Sequence, residues 1–241
     1  MYGWRGKIGL LVPSLNTTME HDFHRLAPEG VSVHVTRVPT EAEGTIEALE
    51  DMGRSATECA ELLAPARTQV AVFGCTSASF VNGAAWTDDL EASIAQTIGS
   101  PAVSTATAMV RSLRHVGAKR VAVLTPYVEA TNDRLRTYLA DAGFEVVDLK
   151  GLAILDMYSH ADISSEELYK AALDLDTSDA DALFIACTQL KAVDILDALE
   201  AELKIPAISA VQSSLWAALN EIGDLPVTGY GSLLAGTKVE R

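Results

Sequence analysis

Basic charge is scarce in this chain. Eighteen lysines and arginines stand against 33 aspartates and glutamates, for a formal net charge of −15. Phosphate binding needs a basic face, so nucleic acid is excluded as a partner. Long apolar runs are also missing. The longest, such as Val121 to Leu124 or Leu183 to Ala186, are strand-sized, well short of the roughly 20 residues of a membrane helix. No membrane partner is expected. The apolar stretch after Arg5 and Lys7 stops at Pro13 and Ser14. That is too short for a signal-peptide core, and the expectation is a cytoplasmic protein without a targeting segment.

Cysteine is limited to three residues with no CxxC pair, which argues against structural zinc and a disulfide framework. Cofactor and nucleophile motifs are absent too: there is no GxGxxG, Walker loop, GxSxG or HExxH. Of the five histidines (His21, His24, His34, His115 and His160), only His21 and His24 share a ligand-like spacing. Without a third ligand that pair reads as a solvated helix face. The expectation is therefore no metal and no cofactor. Aromatics are few, but 49% of residues are apolar, enough to build a substantial core.

What the chain has in quantity is itself, twice. The run KIGLLVP from Lys7 to Pro13 is matched by RVAVLTP from Arg120 to Pro126, an offset of 113. VAVFGCT from Val70 to Thr76 is echoed by ALFIACT from Ala182 to Thr188, an offset of 112. PAVS from Pro101 to Ser104 is echoed by PAIS from Pro206 to Ser209, an offset of 105. Three landmarks in one order at nearly constant offset imply an internal duplication. Short apolar runs near 8–12, 31–37, 69–73 and 101–104, then 121–125, 144–149, 181–186 and 206–209, alternate with helical patterns. That alternation predicts an α/β fold of two similar parallel-sheet, Rossmann-like halves, with the active site between them. The expected division is 1–116 and 117–211, joined near Val116 to Lys119, where Gly117 caps a helix. Whether the segment 212–241, with its helix from about Gln212 to Glu221, packs back on the first half stays open.

Cys59 falls on the apolar stripe of a helical stretch and reads as core filler. Cys75 and Cys187 differ, since each directly follows a buried strand at duplicated positions. Ligands of open parallel sheets bind beyond the carboxyl ends of the strands, so the two thiols are candidates to act on one molecule from opposite sides. A small residue closing a tight turn is the alternative for each. The polar pairs that follow, Thr76-Ser77 and Thr188-Gln189, place backbone N–H groups where they can hold a carboxylate. The same N–H groups are expected to lower the thiol pKa, and oxidation is then expected to inactivate the pair. Local dipoles of this kind are needed, because the overall negative field repels an anionic substrate. At the first strand end, Ser14, Asn16, Thr17 and Thr18 can hydrogen-bond an oxygen, and Asn16 or Thr17 with Glu20 also fits a capping box. Tyr127 holds the position equivalent to Ser14.

With these residues in view, the chain resembles the aspartate/glutamate racemase superfamily, in the branch of maleate cis-trans isomerases and arylmalonate decarboxylases. The segment VPSLNTTME from Val12 to Glu20 is similar to the isomerase N-terminal signature. Gly74 to Phe80, Gly83 to Trp86, Tyr127 and Asn132 to Leu135 are similar to the decarboxylases as well. Those decarboxylases carry glycine at the first cysteine position, so two cysteines favour an isomerase or racemase. The resemblance implies that Cys75 adds to the double bond of maleate while Cys187 handles the proton. It also implies that Asn16 and Tyr127 bind substrate carboxylate, that Ser77 contributes backbone contacts, and that the enzyme forms a homodimer or higher homo-oligomer. One departure stands out: Leu155 to Ser159 lacks a substrate-binding asparagine that the isomerases carry. A small carboxylate substrate is expected, with cis-trans isomerisation, racemisation and decarboxylation all open. A non-catalytic carboxylate-binding module is the reading from a different class.

Overall fold

A computed structural model describes residues 2–223, 225–236 and 239. The strands are β1 (Gly6–Pro13), β2 (Val31–Val38), β3 (Val70–Phe73), β4 (Ala102–Ser104), β5 (Arg120–Thr125), β6 (Glu145–Gly151), β7 (Ala182–Ile185) and β8 (Ala207–Ser209). The helices are α1 (Met19–Leu26), α2 (Ile46–Leu63), α3 (Thr76–Phe80), α4 (Gly83–Ile98), α5 (Thr105–His115), α6 (Glu129–Asp141), α7 (Ser165–Leu173), α8 (Leu196–Leu203), α9 (Ala210–Ile222) and α10 (Ser232–Ala235). Short 3₁₀ turns interrupt the connections.

The strands form two four-stranded sheets, ordered β2-β1-β3-β4 and β6-β5-β7-β8, and every pairing is parallel. The two orders are the same order offset by four, as a duplicated unit requires. The central strands β3 and β7 are buried at every residue, which is why they read as unbroken apolar runs rather than alternating ones. Edge strand β6 is only half-buried along most of its length.

The halves are not separate bodies. Phe80, Met109 and Leu113 of the first pack with Val121, Val123, Leu135, Tyr138 and Phe184 of the second in one apolar cluster. The turn after α5 closes with Gly117 at φ +75°, its N–H on the Arg114 carbonyl and the Ala118 N–H on the Leu113 carbonyl. This is the left-handed C-terminal cap that glycine accepts most readily. Helix α9 packs back on the first sheet: Val211, Leu215, Ala218 and Leu219 lie among Ile8, Leu10, Met19 and Phe23. No helix among the described residues is long and apolar enough to cross a membrane.

Candidate active site

Both sheets aim the carboxyl ends of their strands at a shared cavity. It is lined by Asn16, Cys75, Thr76, Ser77, Tyr127, Cys187, Thr188 and Gln189 on a polar side. Leu15, Leu49, Met52, Ile154, Leu155 and Met157 form an apolar side, and His160 lies among the lining residues as well. The cavity is small, about 40 Å³. The roof is made where the loops after β2 and β6 meet. Gly44 N–H donates to the Leu155 carbonyl (3.0 Å) and Met157 N–H to the Ala42 carbonyl (2.8 Å).

Asn16 ties the site together. Its Oδ1 accepts from the N–H groups of Thr18 (3.0 Å) and Met19 (2.9 Å), capping α1. With the oxygen so occupied, Nδ2 must face the cavity side, where it donates to Thr188 Oγ1 (3.1 Å). Thr188 in turn donates to the Gly74 carbonyl at the end of β3 (2.9 Å). Gln189 completes the seam, accepting from Thr17 N–H at Oε1 (3.0 Å) and donating from Nε2 to the Leu15 carbonyl (3.2 Å). The capping box with Glu20 does not form, because the Glu20 carboxylate pairs with Arg37 instead.

Cys75 stands at the N-cap of α3, 6% exposed, with Sγ 3.8 Å from Ser77 Oγ. Cys187 has φ +87°, a conformation costly for a side chain with a Cβ. There its Sγ receives the Gln189 N–H (3.4 Å) and lies 3.7 Å from His160 Nδ1. The expectation of depressed thiol pKa values fails here. Burial pushes both thiols up from their ordinary value, Cys187 to about 12, and the N–H groups at Ser77, Ala78, Gln189 and Leu190 only partly offset it. Desolvation outweighs a few dipoles for thiols set this deep, even though Cys187 keeps part of its surface exposed. Burial of this kind works against the thiolate form on which ready oxidation depends. The two sulfurs are close enough that charge on Cys75 disfavours the Cys187 thiolate.

Tyr127 is buried, and its hydroxyl approaches Thr76 and Ser77; burial holds its pKa well above the ordinary value, so it remains a donor. Its turn is clamped by Asn132, which accepts from Thr125 Oγ1 (2.7 Å) and donates to the Tyr127 carbonyl (3.2 Å). A Cβ on Gly151 would collide with Asn132 Nδ2 and lie 3.0 Å from the Tyr127 carbonyl. Gly151→Ala is therefore expected to cost about 1–3 kcal/mol of stability by overpacking and about tenfold in kcat/KM, checked by thermal melts and initial rates. Thr76 Oγ1 is buried at the cavity wall without a hydrogen-bond partner of good geometry, a hydroxyl free to bond a ligand oxygen.

The structure does not bring Ser14 to the cavity. It is exposed, and its N–H donates to the Val38 carbonyl (2.8 Å), holding β1 to β2. Cys59 lies on the core-facing side of α2 and is not among the residues lining the cavity. His160 and Gln189 were not singled out as site residues from the sequence. Gln189 could have been, being next to Thr188. His160 had only its place in the loop after β6, at the carboxyl end of a strand. Among the described residues, no group of three or more His, Cys, Asp or Glu is placed to hold a metal ion.

The arylmalonate decarboxylase family model matches residues 8–234. The chain belongs to the arylmalonate decarboxylase family. Within reach of that family lies the maleate isomerase of Nocardia farcinica, 32% identical over 240 residues that cover 95% of each chain. A cysteine-to-alanine variant of the maleate isomerase Iso from Pseudomonas putida S16, solved with maleate, superposes with a TM-score of 0.92 at 29% identity, covering 98% of this chain and 99% of that one. A cysteine-to-serine mutant of a Nocardia farcinica maleate cis-trans isomerase, solved with a covalently bound succinylcysteine intermediate, gives 0.91 at 30% identity, over 97% of this chain and 99% of that one. For the family member described here, these are similarities along the whole chain rather than at one motif.

Proposed function

We propose that this chain is a cofactor-independent cis-trans isomerase of maleate or a related small dicarboxylate, working between a first half, 1–116, and a second, 117–211. The observation that carries the reading is the pair of sulfurs, Cys75 and Cys187, on one small cavity with carboxylate-binding donors beside them. A soft sulfur adds readily to an electron-poor alkene. The Cys75 sulfur bonds to one alkene carbon, and the neighbouring carbon takes a proton from Cys187. The former double bond, now single, rotates; Cys187 removes a proton and the carbon–sulfur bond breaks, leaving the trans acid. Asn16 Nδ2, Thr76 Oγ1 and the Tyr127 hydroxyl hold carboxylate oxygens, with Ser77 and Thr188 alongside. The uncapped first turn of α6, bordering the cavity at Val128 and Thr131, offsets the overall negative charge locally. The succinylcysteine seen in the Nocardia farcinica enzyme supports a covalent route. The reading carries with it a cytoplasmic location and assembly as a homodimer or higher homo-oligomer.

Incubation with maleate should give fumarate, followed by proton NMR. Absence of conversion for maleate and for its alkyl-substituted relatives would overturn the reading. The apolar wall favours a second reading, decarboxylation of a substituted malonate. Apolar surroundings raise the energy of a carboxylate and not of the CO₂ it releases, and Cys187 would then protonate the enolate. Release of CO₂ from phenylmalonate without isomerisation of maleate would select that alternative. Solvent deuterium appearing at the α-carbon of aspartate or glutamate would select a racemase instead.

A further inference from the structure

His160 has no role in the chemistry described so far, yet its Nδ1 lies 3.7 Å from a reacting sulfur, that of Cys187. It is 3% exposed, and both of its ring nitrogens are committed. Nε2 lies 3.0 Å from the Ile154 carbonyl. A carbonyl only accepts, so Nε2 carries the proton. In the neutral ring Nδ1 is then bare, and it faces Cys187 Sγ at 3.7 Å. The Cys187 S–H can then donate to that nitrogen, while the sulfur accepts from the Gln189 N–H and the Tyr127 hydroxyl. The loop holding the ring is itself fixed, since Leu152 and Ile154 donate to the carbonyls of Thr125 and Pro126. We propose that His160 is the positioning and proton-holding partner of Cys187, taking at Nδ1 the proton that must leave the two-thiol system before Cys75 can add to substrate.

The proton count explains why such a partner is needed. At rest Cys75, Cys187 and His160 Nδ1 share two labile protons, one on each sulfur, with no net charge. Addition needs the Cys75 thiolate and, at the same moment, a protonated Cys187. Both requirements are met without losing a proton to solvent when the Cys75 proton enters the Cys187–His160 pair, so that Nδ1 gains an N–H bond as the Cys75 S–H bond breaks. The Cys75 electron pair then forms the carbon–sulfur bond, and the π electrons capture the Cys187 proton. Cys187 is left as a thiolate beside the His160 imidazolium, an ion pair instead of a lone buried anion. Expulsion of Cys75 runs the same steps backward, and no oxidant, reductant or solvent proton is consumed.

Other charges around the ring are few. Tyr127 lies across it with ring centroids 6.3 Å apart, and Asp156, on the same loop, favours the protonated ring. Burial dominates and holds His160 below its ordinary 6.5, while burial holds both thiols above their ordinary 9.0. The cavity lining holds no lysine or arginine. Between those limits the three groups stay at two labile protons.

The inference rests on the reading that Cys187 does acid–base work, and its test separates the two. His160→Gln keeps an N–H for Ile154 and an oxygen for the thiol, but cannot take up a proton. The native enzyme should show a kcat/KM for maleate that is flat between about pH 6.5 and 9. His160→Gln should lose about 100-fold in kcat at pH 7, with KM little changed. Its rate should then climb about tenfold per pH unit across that window, since a proton must now leave to solvent. A profile of unchanged shape would overturn the proposal, whatever the size of the rate loss. If His160→Gln does not fold, or maleate is not turned over, nitrogen NMR of histidine-labelled native protein and of Cys187→Ala decides. The expected result is a His160 ring protonated at Nε2, whose Nδ1 resonance alone among the histidines shifts when the thiol is removed. A proton on Nδ1 at neutral pH, or a resonance indifferent to Cys187→Ala, would sink it.

Discussion

Cys75→Ser and Cys187→Ser are each expected to lower kcat by about 10³-fold or more while leaving the fold in place. The two losses have different origins. A serine hydroxyl at position 75 is a far poorer nucleophile toward an alkene than a thiolate, and nothing within reach activates an alcohol that strongly. At position 187 the hydroxyl is a weaker acid, and the alkoxide left behind after protonation is harder to hold than a thiolate. A thousandfold corresponds to about 4 kcal/mol of transition-state stabilisation. Because the sulfurs act in one sequence, the double variant should lose little more than the worse single one. Thermal melts should move only by a few degrees, since serine is smaller by little and Ser77 and the N–H groups at Gln189 and Leu190 can satisfy its hydroxyl. Rates of fumarate formation by NMR, read beside the melts, check this. Substantial turnover by either single variant would end the paired mechanism.

Asn16 should separate folding from binding. Asn16→Asp keeps a side-chain oxygen for the Thr18 and Met19 N–H groups and puts a favourable negative charge at the start of α1. It also removes the Nδ2 donor and sets an anion against the substrate carboxylate. The expected result is a near-native melting temperature with KM raised about 100-fold. Asn16→Ala should behave in the opposite manner. It loses the cap and the link to Thr188, costing about 2–3 kcal/mol of stability, but it introduces no repulsion, so its KM should rise less than that of the aspartate. Melts and Michaelis–Menten kinetics on the two variants decide. Equal KM values would mean that Asn16 caps the helix without touching substrate.

Several features of the site were legible in the residues alone, and the reasons differ. Cys75 and Cys187 were found because a duplication marks its equivalent positions, and because parallel strands present their carboxyl ends to ligands. Tyr127 stood out through the same registration, and Asn16 through its place at the end of β1 and the family resemblance. Ser14 did not follow, although it is Tyr127's counterpart. The chain turns one residue after β1, and the Ser14 N–H is spent on Val38, which leaves the side chain in solvent. Tyr127 instead has Asn132 behind it to hold its turn inward.

Local sequence determined the elements, their parallel pairing and the duplicated order, because apolar runs of strand length and helix periodicity are short-range properties. It also placed two thiols at strand ends. Only the tertiary structure decided three things: that burial raises those thiols instead of the adjacent N–H groups lowering them, that Leu155 and Met157 make one wall apolar, and that His160 reaches Cys187. Each depends on how deeply a group is enclosed and on what a distant loop brings against it. Desolvation and cross-chain contact are properties of the packed molecule, and no spacing along the chain encodes them directly.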